Sequence, residues 1–213
     1  MNVRVLDLFT GTGSIKKVCE ELNFNVVSLD IDPKFNPDVC ADILTVDYQG
    51  MWKPGDFDII WASPPCQMFS RARQCNIGKT INGETMTRAT LERDTINIGV
   101  PLLRKTQEII DYLKPQNWFI ENPYYGSMKN YINIKCNVFD YCMFGFDYRK
   151  RTSIWSNLKL KDCMCDKSHL IDGRHKMAAI GSYNKAQTGQ GGGTSKVGRY
   201  AIPQDLVRYL ITS

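Results

Sequence analysis

The sequence predicts an α/β fold in which a mainly parallel sheet is covered by helices on both faces. Short apolar runs typical of buried strands recur along the 213-residue chain, and segments with helical periodicity separate them. Strands that alternate with helices become parallel neighbours, because each crossover helix returns the chain to the starting edge of the sheet. Ligands are therefore expected at the carboxyl ends of these strands.

The first elements follow in order from the amino terminus. Residues 3–9 and 26–29 read as strands, and apolar positions between 15 and 22 have the spacing of one helix face. Residues 56–62 form the next buried strand. A helix with apolar positions from 100 to 113 then ends before a proline, and a further strand follows it at 117–121.

Two segments lack this regularity. Residues 67–97 are polar and are expected to form a long mobile loop with a functional role. The simpler interpretation is a solvated surface without such a role. The basic residues of this loop are Arg71, Arg73, Lys79, Arg88 and Arg93. Residues 158–198 have no clear period and include the glycine-rich run 189–193, so we expect irregular structure there.

Composition indicates a globular protein whose positive net charge is compatible with a polyanionic partner. The net charge is +5, and 43% of the residues are hydrophobic. The chain shows neither a signal peptide nor an apolar run of transmembrane length, so a cytoplasmic location in a bacterial or infected host cell is expected, without membrane partners. The eight cysteines are expected to be reduced, since no secretion signal accompanies them.

Cys66 is the most informative residue. It lies in the motif Pro-Pro-Cys-Gln (64–67), directly after an apolar run. The two prolines fix φ and prevent both further strand pairing and immediate helix formation. An arbitrary cysteine is usually a small buried hydrophobic residue, but this context holds the thiol at the carboxyl end of a strand.

The Pro-Pro-Cys-Gln motif, followed by an aromatic residue and serine, resembles the nucleophile loop of the DNA cytosine-5 methyltransferases. Other motifs similar to that family occur in the same order over nearly the whole chain. They are Asp-Leu-Phe-Thr-Gly-Thr-Gly (7–13), Asp-Ile-Asp (30–32), Asp-Ile (42–43), Glu-Asn-Pro (121–123), the basic segment 148–155 and Arg-Tyr-Ala-Ile-Pro (199–203). The resemblance implies a single S-adenosylmethionine-dependent methyltransferase domain, 1–213, whose mostly parallel doubly wound sheet has an antiparallel edge strand.

Several positions depart from the family pattern. Pro123 replaces a valine, Ser153 replaces the second arginine of the basic motif, and Arg199-Tyr200 replaces Gly-Asn. Residues 156–198 leave room only for a much reduced target-recognition region, so the chain resembles a small phage- or virus-type member. Whether Arg149 or Lys150 substitutes for the missing arginine is left open by the sequence.

The resemblance implies S-adenosylmethionine as cofactor. The residues implied to bind it are Phe9, Gly11, Gly13, Asp30, Ile31, Asp42, Ile43 and Pro65. Glycines let a ligand approach the backbone closely, and Asp30 at a strand end is suited to accept hydrogen bonds from ribose hydroxyls. A turn or helix cap is the alternative role for that aspartate. Ile31 stands where the family often has an aromatic residue, so weaker adenine stacking is expected.

For catalysis the resemblance implies that Cys66 adds to carbon 6 of cytosine and thereby activates carbon 5 toward a methyl group. Glu121 is implied to contact ring nitrogen 3 and the exocyclic amine, and Arg151 the base carbonyl. Simpler interpretations are a strand-ending turn at 121–123 and a solvated basic turn at 149–151. The residues expected to contact substrate are Gln67, Ser70, Arg71, Arg73 and Asn122.

DNA with its target cytosine flipped out of the stack is the expected partner. The loop 67–97 is expected to close over it, with the five basic residues named above contacting its phosphates. An RNA cytosine-5 methyltransferase and a catalytically silent binding module are the alternatives.

Two histidines and three cysteines in the second half of the chain raise the question of zinc. They are Cys142, Cys163, Cys165, His169 and His175. Because Cys163-x-Cys165 lacks the usual two-residue spacing, ordinary thiols and surface histidines are favoured and no metal is expected.

Overall fold

The computed structural model describes residues 3–177 and 200–213. The strands in these residues are β1 (Arg4–Leu8), β2 (Asn25–Asp30), β3 (Val39–Cys40), β4 (Ile59–Ala62), β5 (Thr80–Ile81), β6 (Glu84–Thr85), β7 (Asn117–Pro123), β8 (Asn137–Asp140) and β9 (Arg151–Ser156). The α-helices are α1 (Ser14–Glu21), α2 (Tyr48–Met51), α3 (Arg88–Asp94), α4 (Val100–Leu113) and α5 (Gln204–Ile211).

Seven strands form one sheet in the order β3-β2-β1-β4-β7-β9-β8. The first five are parallel to their neighbours, which confirms the predicted mainly parallel α/β sheet. Strand β9 is antiparallel to both β7 and β8. Strand β8 lies at the edge and is antiparallel to its neighbour β9, which confirms the predicted antiparallel edge strand.

Side chains of the central strands point alternately to the two faces of the sheet, and helices pack against both faces. Leu6 and Ile60 point to one face, where they pack with buried residues of α4. Val5 and Trp61 point to the opposite face, where they pack with buried residues of α1 and α5. These strands are buried on both faces, as the near-continuous apolar runs in the sequence predicted.

Helix α4 ends at Leu113, as the sequence predicted. Lys114 adopts a left-handed conformation with φ 50°, and its N–H bonds to the carbonyl of Ile110 at 3.0 Å. Pro115 then prevents the helix from continuing. The chain passes directly into β7, so the helix end fixes where the strand carrying Glu121 begins.

Residues 67–97 contain more regular structure than their polar sequence suggested. A 3₁₀ turn (Cys66–Phe69) and a 3₁₀ helix (Arg71–Asn76) precede the β5–β6 hairpin, and α3 then runs through a π-helical turn (Thr95–Gly99) into α4. Asn82 and Gly83 both have positive φ, 50° and 81°, as a tight hairpin turn requires. That Asn-Gly pair is a hairpin signal that our sequence analysis overlooked.

Residues 156–177 are mainly turns, joined to the sheet by an isolated bridge between Phe139 and Cys163. The glycine-rich run 189–193 and Arg199 lie outside the described residues. Every helix in the described part of the chain is too short or too polar to cross a membrane.

Candidate active site

Cys66 and Glu121 lie beyond the carboxyl ends of adjacent parallel strands. Strand β4 leads into the Pro-Pro-Cys-Gln loop, and its last residue, Ala62, is in register with Ile120 of β7. Glu121 is the next residue of β7, and Cys66 opens the 3₁₀ turn beyond β4. Both motifs therefore lie at the edge of the sheet where ligands were expected from the parallel strand order.

The loop that carries Cys66 is held by donors from three directions. These hydrogen bonds are Asn122 Nδ2 to the Pro64 carbonyl at 2.9 Å, Thr95 Oγ1 to the Met68 carbonyl at 2.7 Å and the Ser127 N–H to the Phe69 carbonyl at 2.8 Å. Gly99 permits the close packing of the π-helical turn, since a Cβ there would lie 2.9 Å from Met68 Cβ. The backbone around the thiol is therefore fixed before any substrate binds.

The thiol of Cys66 is partly buried, and its charge state depends on its neighbours. Burial raises its pKa, and the carboxylate of Glu121 raises it further, whereas the ammonium of Lys150 lowers it. Lys150 lies over the ring of Tyr141, with Nζ 4.7 Å from the ring centroid. Of the two residues left open as substitutes for the missing arginine, Lys150 is thus the one whose charge acts on the thiol.

Glu121 is buried and held at one oxygen. The hydroxyl of Tyr141 donates to its Oε1 at 3.0 Å, and the hydroxyl of Thr152 also donates to Oε1. Burial, together with the charge of Glu121, raises the pKa of Tyr141 well above its usual value, so the phenol stays protonated as a donor. Both donors come from the β8–β9 part of the fold, and together they fix the orientation of the carboxyl group.

Arg151 is oriented by a buried carboxylate. Its Nε and Nη2 donate to the two oxygens of Asp140 at 2.9 and 2.8 Å, which is the bidentate geometry that suits a guanidinium. Burial alone would raise the pKa of Asp140, but hydrogen bonds from Arg151 and from the Cys165 N–H lower it below its usual value. The guanidinium also lies near the ring of Tyr124, 5.9 Å from its centroid.

The five residues expected to contact substrate occupy different environments. Gln67 and Arg71 are exposed, and the hydroxyl of Ser70 accepts a hydrogen bond from the Ala72 N–H at the start of the 3₁₀ helix. Arg73 is largely covered and forms an ion pair with Asp94 at 2.5 Å. Asn122 is buried behind the loop, where its amide engages the Pro64 carbonyl.

The Gly-x-Gly loop after β1 is arranged to receive a ligand. Phe9, Gly11 and Gly13 all have positive φ, at 65°, 48° and 71°. A Cβ at Gly13 would meet no atom within 4 Å, so the backbone there faces open space. Asp30 holds the loop through its Oδ2, which accepts from the Gly11 N–H at 2.9 Å, while Oδ1 accepts from the Asp32 N–H at 2.9 Å. The turn-capping role considered for Asp30 is therefore present, and each oxygen retains a lone pair for a ligand hydroxyl.

The remaining residues expected around the cofactor differ in exposure. Ile31 is 65% exposed, directly beyond Asp30, and Pro65 is also exposed. Ile43 is buried in the core beside α4, and Asp42 accepts a hydrogen bond from the Leu44 N–H at 2.9 Å. Ile31 thus presents an apolar surface at the end of β2, whereas Asp42 and Ile43 shape the neighbouring turn.

Asp7 is a buried carboxyl group under the glycine loop. Burial raises its pKa to about 7, and Asp30 contributes to the increase, although a hydrogen bond from the Thr10 hydroxyl at 2.7 Å acts in the opposite direction. The charge of Lys16 also lowers this pKa, but less than burial raises it. In the sequence Asp7 appears only as part of a motif, because its burial is a property of the folded structure.

Three residues that hold the candidate catalytic groups were not identified from the sequence. They are Tyr141, Thr152 and Asp140. All three belong to the β8–β9 unit, which pairs with β7 only in the folded structure. Thr152 follows Arg151 in the basic motif, which was the available signal, but no local pattern marks Asp140 or Tyr141.

Comparison with known proteins identifies related methyltransferases. Residues 3–124 match the family model described as C-5 cytosine-specific DNA methylase. A protein of Frog virus 3 (isolate Goorha), named "Probable DNA (cytosine-5)-methyltransferase", is 34% identical over 219 residues, covering 98% of this chain and 99% of that protein. Among solved structures, the Entamoeba histolytica methyltransferase EhMeth aligns with a TM-score of 0.48 and 16% identity, over 79% of this chain and 58% of that chain.

The mostly parallel seven-stranded sheet, with the motif residues Cys66 and Glu121 beyond the carboxyl ends of its strands, defines an α/β protein with the S-adenosylmethionine-dependent methyltransferase fold. The chain belongs to the C-5 cytosine-specific DNA methylase family. It is a DNA (cytosine-5)-methyltransferase, and neither the RNA-specific enzyme nor the silent binding module is favoured.

Proposed function

We propose that this enzyme methylates carbon 5 of cytosine in DNA through a covalent adduct between Cys66 and carbon 6 of the base. The observation that carries the proposal is the placement of Cys66 and Glu121 beyond adjacent parallel strands, with the Cys66 loop tied to β7 by Asn122. A flat base held between these two residues would meet the thiol near its carbon 6 and the carboxyl group near nitrogen 3. Both hydroxyl donors of the site reach Oε1 of Glu121, so the base is expected to contact Oε2.

The electrostatics of the pair suit a coupled proton transfer. Burial raises the pKa of the Cys66 thiol, and a carboxylate at Glu121 raises it further because the two negative charges repel each other. A proton on Glu121 would remove that repulsion and would be placed for donation to ring nitrogen 3. In the addition step the S–H bond breaks and its proton passes to solvent, the bond between sulfur and carbon 6 forms, and Glu121 gives its proton to nitrogen 3 and becomes a carboxylate.

Cationic groups complete the environment of the thiol and the base. Lys150 lowers the pKa of Cys66 and stabilises the thiolate. Arg151 is locked by Asp140 through both of its oxygens, and we assign its outer N–H groups to the carbonyl oxygen of the base. Once the methyl group is on carbon 5, loss of the carbon 5 proton to solvent would break the bond between carbon 6 and sulfur, release Cys66 as a thiolate that Lys150 stabilises, and return the nitrogen 3 proton to Glu121.

S-adenosylmethionine fits the glycine loop as the methyl donor. The positive φ values of Gly11 and Gly13, the open space at Gly13 and the carboxylate of Asp30 form a cradle that a larger residue would disrupt. Phe9, Asp30 and Ile31 would hold the methionine, ribose and adenine parts. When bound, this cofactor supplies an electrophilic methyl group at a sulfonium.

DNA containing 5-fluorocytosine tests the proposal directly. Fluorine blocks the final elimination, so wild-type protein with S-adenosylmethionine should form a covalent adduct that survives denaturing electrophoresis. Cys66→Ala should form none, whereas Cys75→Ala should react as wild type because that thiol is exposed in the neighbouring 3₁₀ helix. Peptide mapping should place the adduct on Cys66.

The same assay with RNA of matching sequence separates the nucleic-acid substrates. We expect adducts and methyl transfer with DNA only. Catalytic methyl transfer by Cys66→Ala, or an adduct that maps to another cysteine, would contradict the covalent role of Cys66.

A further inference from the structure

Four potential metal ligands meet outside the active site. The ligand atoms of Cys142, Cys165, His169 and His175 all lie within 4.8 Å of one another. Cys165 Sγ is 3.5 Å from Nε2 of His175 and 3.9 Å from Nε2 of His169. Zinc bonded tetrahedrally to thiolates and imidazoles separates sulfur from nitrogen by roughly 3.6 Å, as its bond lengths require. These two separations are therefore close to the edges of a zinc tetrahedron.

We propose that these four side chains bind a structural zinc ion. Two thiolates and two imidazoles form the donor set that Zn²⁺ prefers, and four protein ligands close its coordination shell, as in structural rather than catalytic sites. His169 and His175 also have the His-x₅-His spacing found in such sites. Nδ1 of His169 lies 4.0 Å from Asp166, a carboxylate of the kind that orients ligating imidazoles.

The sequence pointed away from zinc because it paired the wrong cysteines. Cys163 lies beside β8, where its N–H donates to the Val138 carbonyl at 2.8 Å and its carbonyl accepts from the Asp140 N–H at 2.9 Å. Its side chain packs against the apolar cluster on that face of the sheet. The second thiol of the group is supplied instead by Cys142, which follows β8 in a 3₁₀ turn (Tyr141–Phe144).

The site would fasten residues 163–177 to the catalytic part of the fold. The N–H of Cys165 donates to Oδ2 of Asp140 at 2.8 Å, and the same carboxylate holds Arg151. Cys142 directly follows Tyr141, whose hydroxyl holds Glu121. The proposal that zinc binds here does not depend on the mechanism proposed above. Only the further step, that zinc helps to position Arg151 and Glu121 for catalysis, rests on that mechanism.

Metal analysis of the full-length protein tests the site without any methylation assay. Wild-type protein purified under reducing conditions without chelators should contain one zinc per chain by mass spectrometry. Replacement by Co²⁺ should give the visible spectrum of a tetrahedral ion with thiolate ligands. His169→Ala and Cys165→Ser should lose stoichiometric metal and the cobalt spectrum. Cys163→Ser is the matched control and should retain both, because its thiol lies outside the group.

His169 is the decisive position, since it is exposed and its replacement spares the core, whereas Cys142 is buried. Circular dichroism would confirm that each variant is folded. The proposal is overturned if folded, reduced wild-type protein retains neither Zn²⁺ nor Co²⁺ after incubation and dialysis. It is equally overturned if Cys163→Ser loses metal while His169→Ala keeps it. Either result leaves the role of Cys66 untouched, because no DNA or methyl donor is present.

Discussion

Replacing Asp7 by asparagine should remove a loss of stability that the wild-type enzyme undergoes as pH rises from about 4 to 7. Asp7 is fully buried, and its pKa of about 7 exceeds the ordinary value of 3.8. Below pH 4 the group is protonated in both folded and unfolded chains and costs nothing. As pH rises from about 4 to 7 the unfolded chain ionises first, so the folded state loses stability, and above pH 7 the loss is constant.

The size of this effect follows from the shift in pKa. The pKa of Asp7 in the folded protein exceeds its ordinary value by roughly three units, and at 1.36 kcal/mol per unit this lowers the free energy of unfolding above pH 7 by about 4 kcal/mol. The free energy of unfolding of Asp7→Asn minus that of the wild type should therefore increase by about 2 to 3 kcal/mol between pH 5 and pH 8. An asparagine amide without a partner costs a pH-independent amount, so the slope and not the offset is the measurement.

Urea unfolding at a series of pH values provides the assay. Asp111→Asn is the matched control, because it removes the same charge from an exposed position and should give a curve parallel to that of the wild type. Parallel curves for Asp7→Asn and wild type would show that Asp7 has an ordinary pKa in the folded protein and would refute the argument.

Three further predictions address the site itself. Glu121→Gln should slow methyl transfer by roughly 10²–10⁴-fold without weakening DNA binding, since an amide cannot donate the required proton; single-turnover rates at the wild-type value would reassign Glu121 to structure. Asp30→Ala should weaken S-adenosylmethionine binding in calorimetry, because the ribose loses its acceptor and the Gly11 N–H loses its partner; unchanged affinity would refute that role. Replacing both Arg71 and Arg88 by glutamine should flatten the dependence of log K on log salt by about 2, near 0.9 per lost phosphate contact. An unchanged slope in this double variant would exclude the surface around Arg71 and Arg88 from DNA binding. Arg73→Gln is the contrasting variant and should lower the stability of the protein, because that guanidinium is paired with Asp94.

The parallel half of the fold was predictable because its signals are local. Strands β1, β2, β4 and β7 are short apolar runs, and the motif residues Cys66 and Glu121 lie at strand ends that parallel topology brings to one edge. The same reasoning placed the end of α4 correctly. Local periodicity and the rule that parallel strands share an edge were sufficient for this half of the active site.

The antiparallel half was not predictable in the same way. Neither β8 nor β9 has a strong pattern, so the residues that form these strands and their pairing were not predicted. The pairing of Asp140 with Arg151 depends on the register of these two strands, in which the two residues are direct partners. A one-residue change of register would move Asp140 to the other face of the sheet, so sequence spacing alone cannot reveal the ion pair.

The loop between Cys66 and α4 shows why composition misled the analysis. Arg73 and Arg93 looked like candidates for phosphate contacts, but both are engaged in ion pairs with acidic residues of the same segment. The charges that made the segment look like a solvated loop therefore stabilise its folded form. Of the five basic residues considered for DNA, Arg71, Lys79 and Arg88 have no ion pair among the described residues and are exposed.

The β8–β9 unit links the chemistry of the site to the segment that follows it. Asp140 accepts from Arg151 with both oxygens and from the Cys165 backbone with one of them, so one buried carboxylate orients both the Arg151 guanidinium and the start of the segment for which we propose a zinc ion. In the mechanism that we propose, Arg151 contacts the carbonyl oxygen of the base. A zinc ion that fixed Cys165 would therefore also restrict the movement of Asp140 and of the guanidinium that it orients. Less conformational entropy would then be lost at Arg151 when DNA binds.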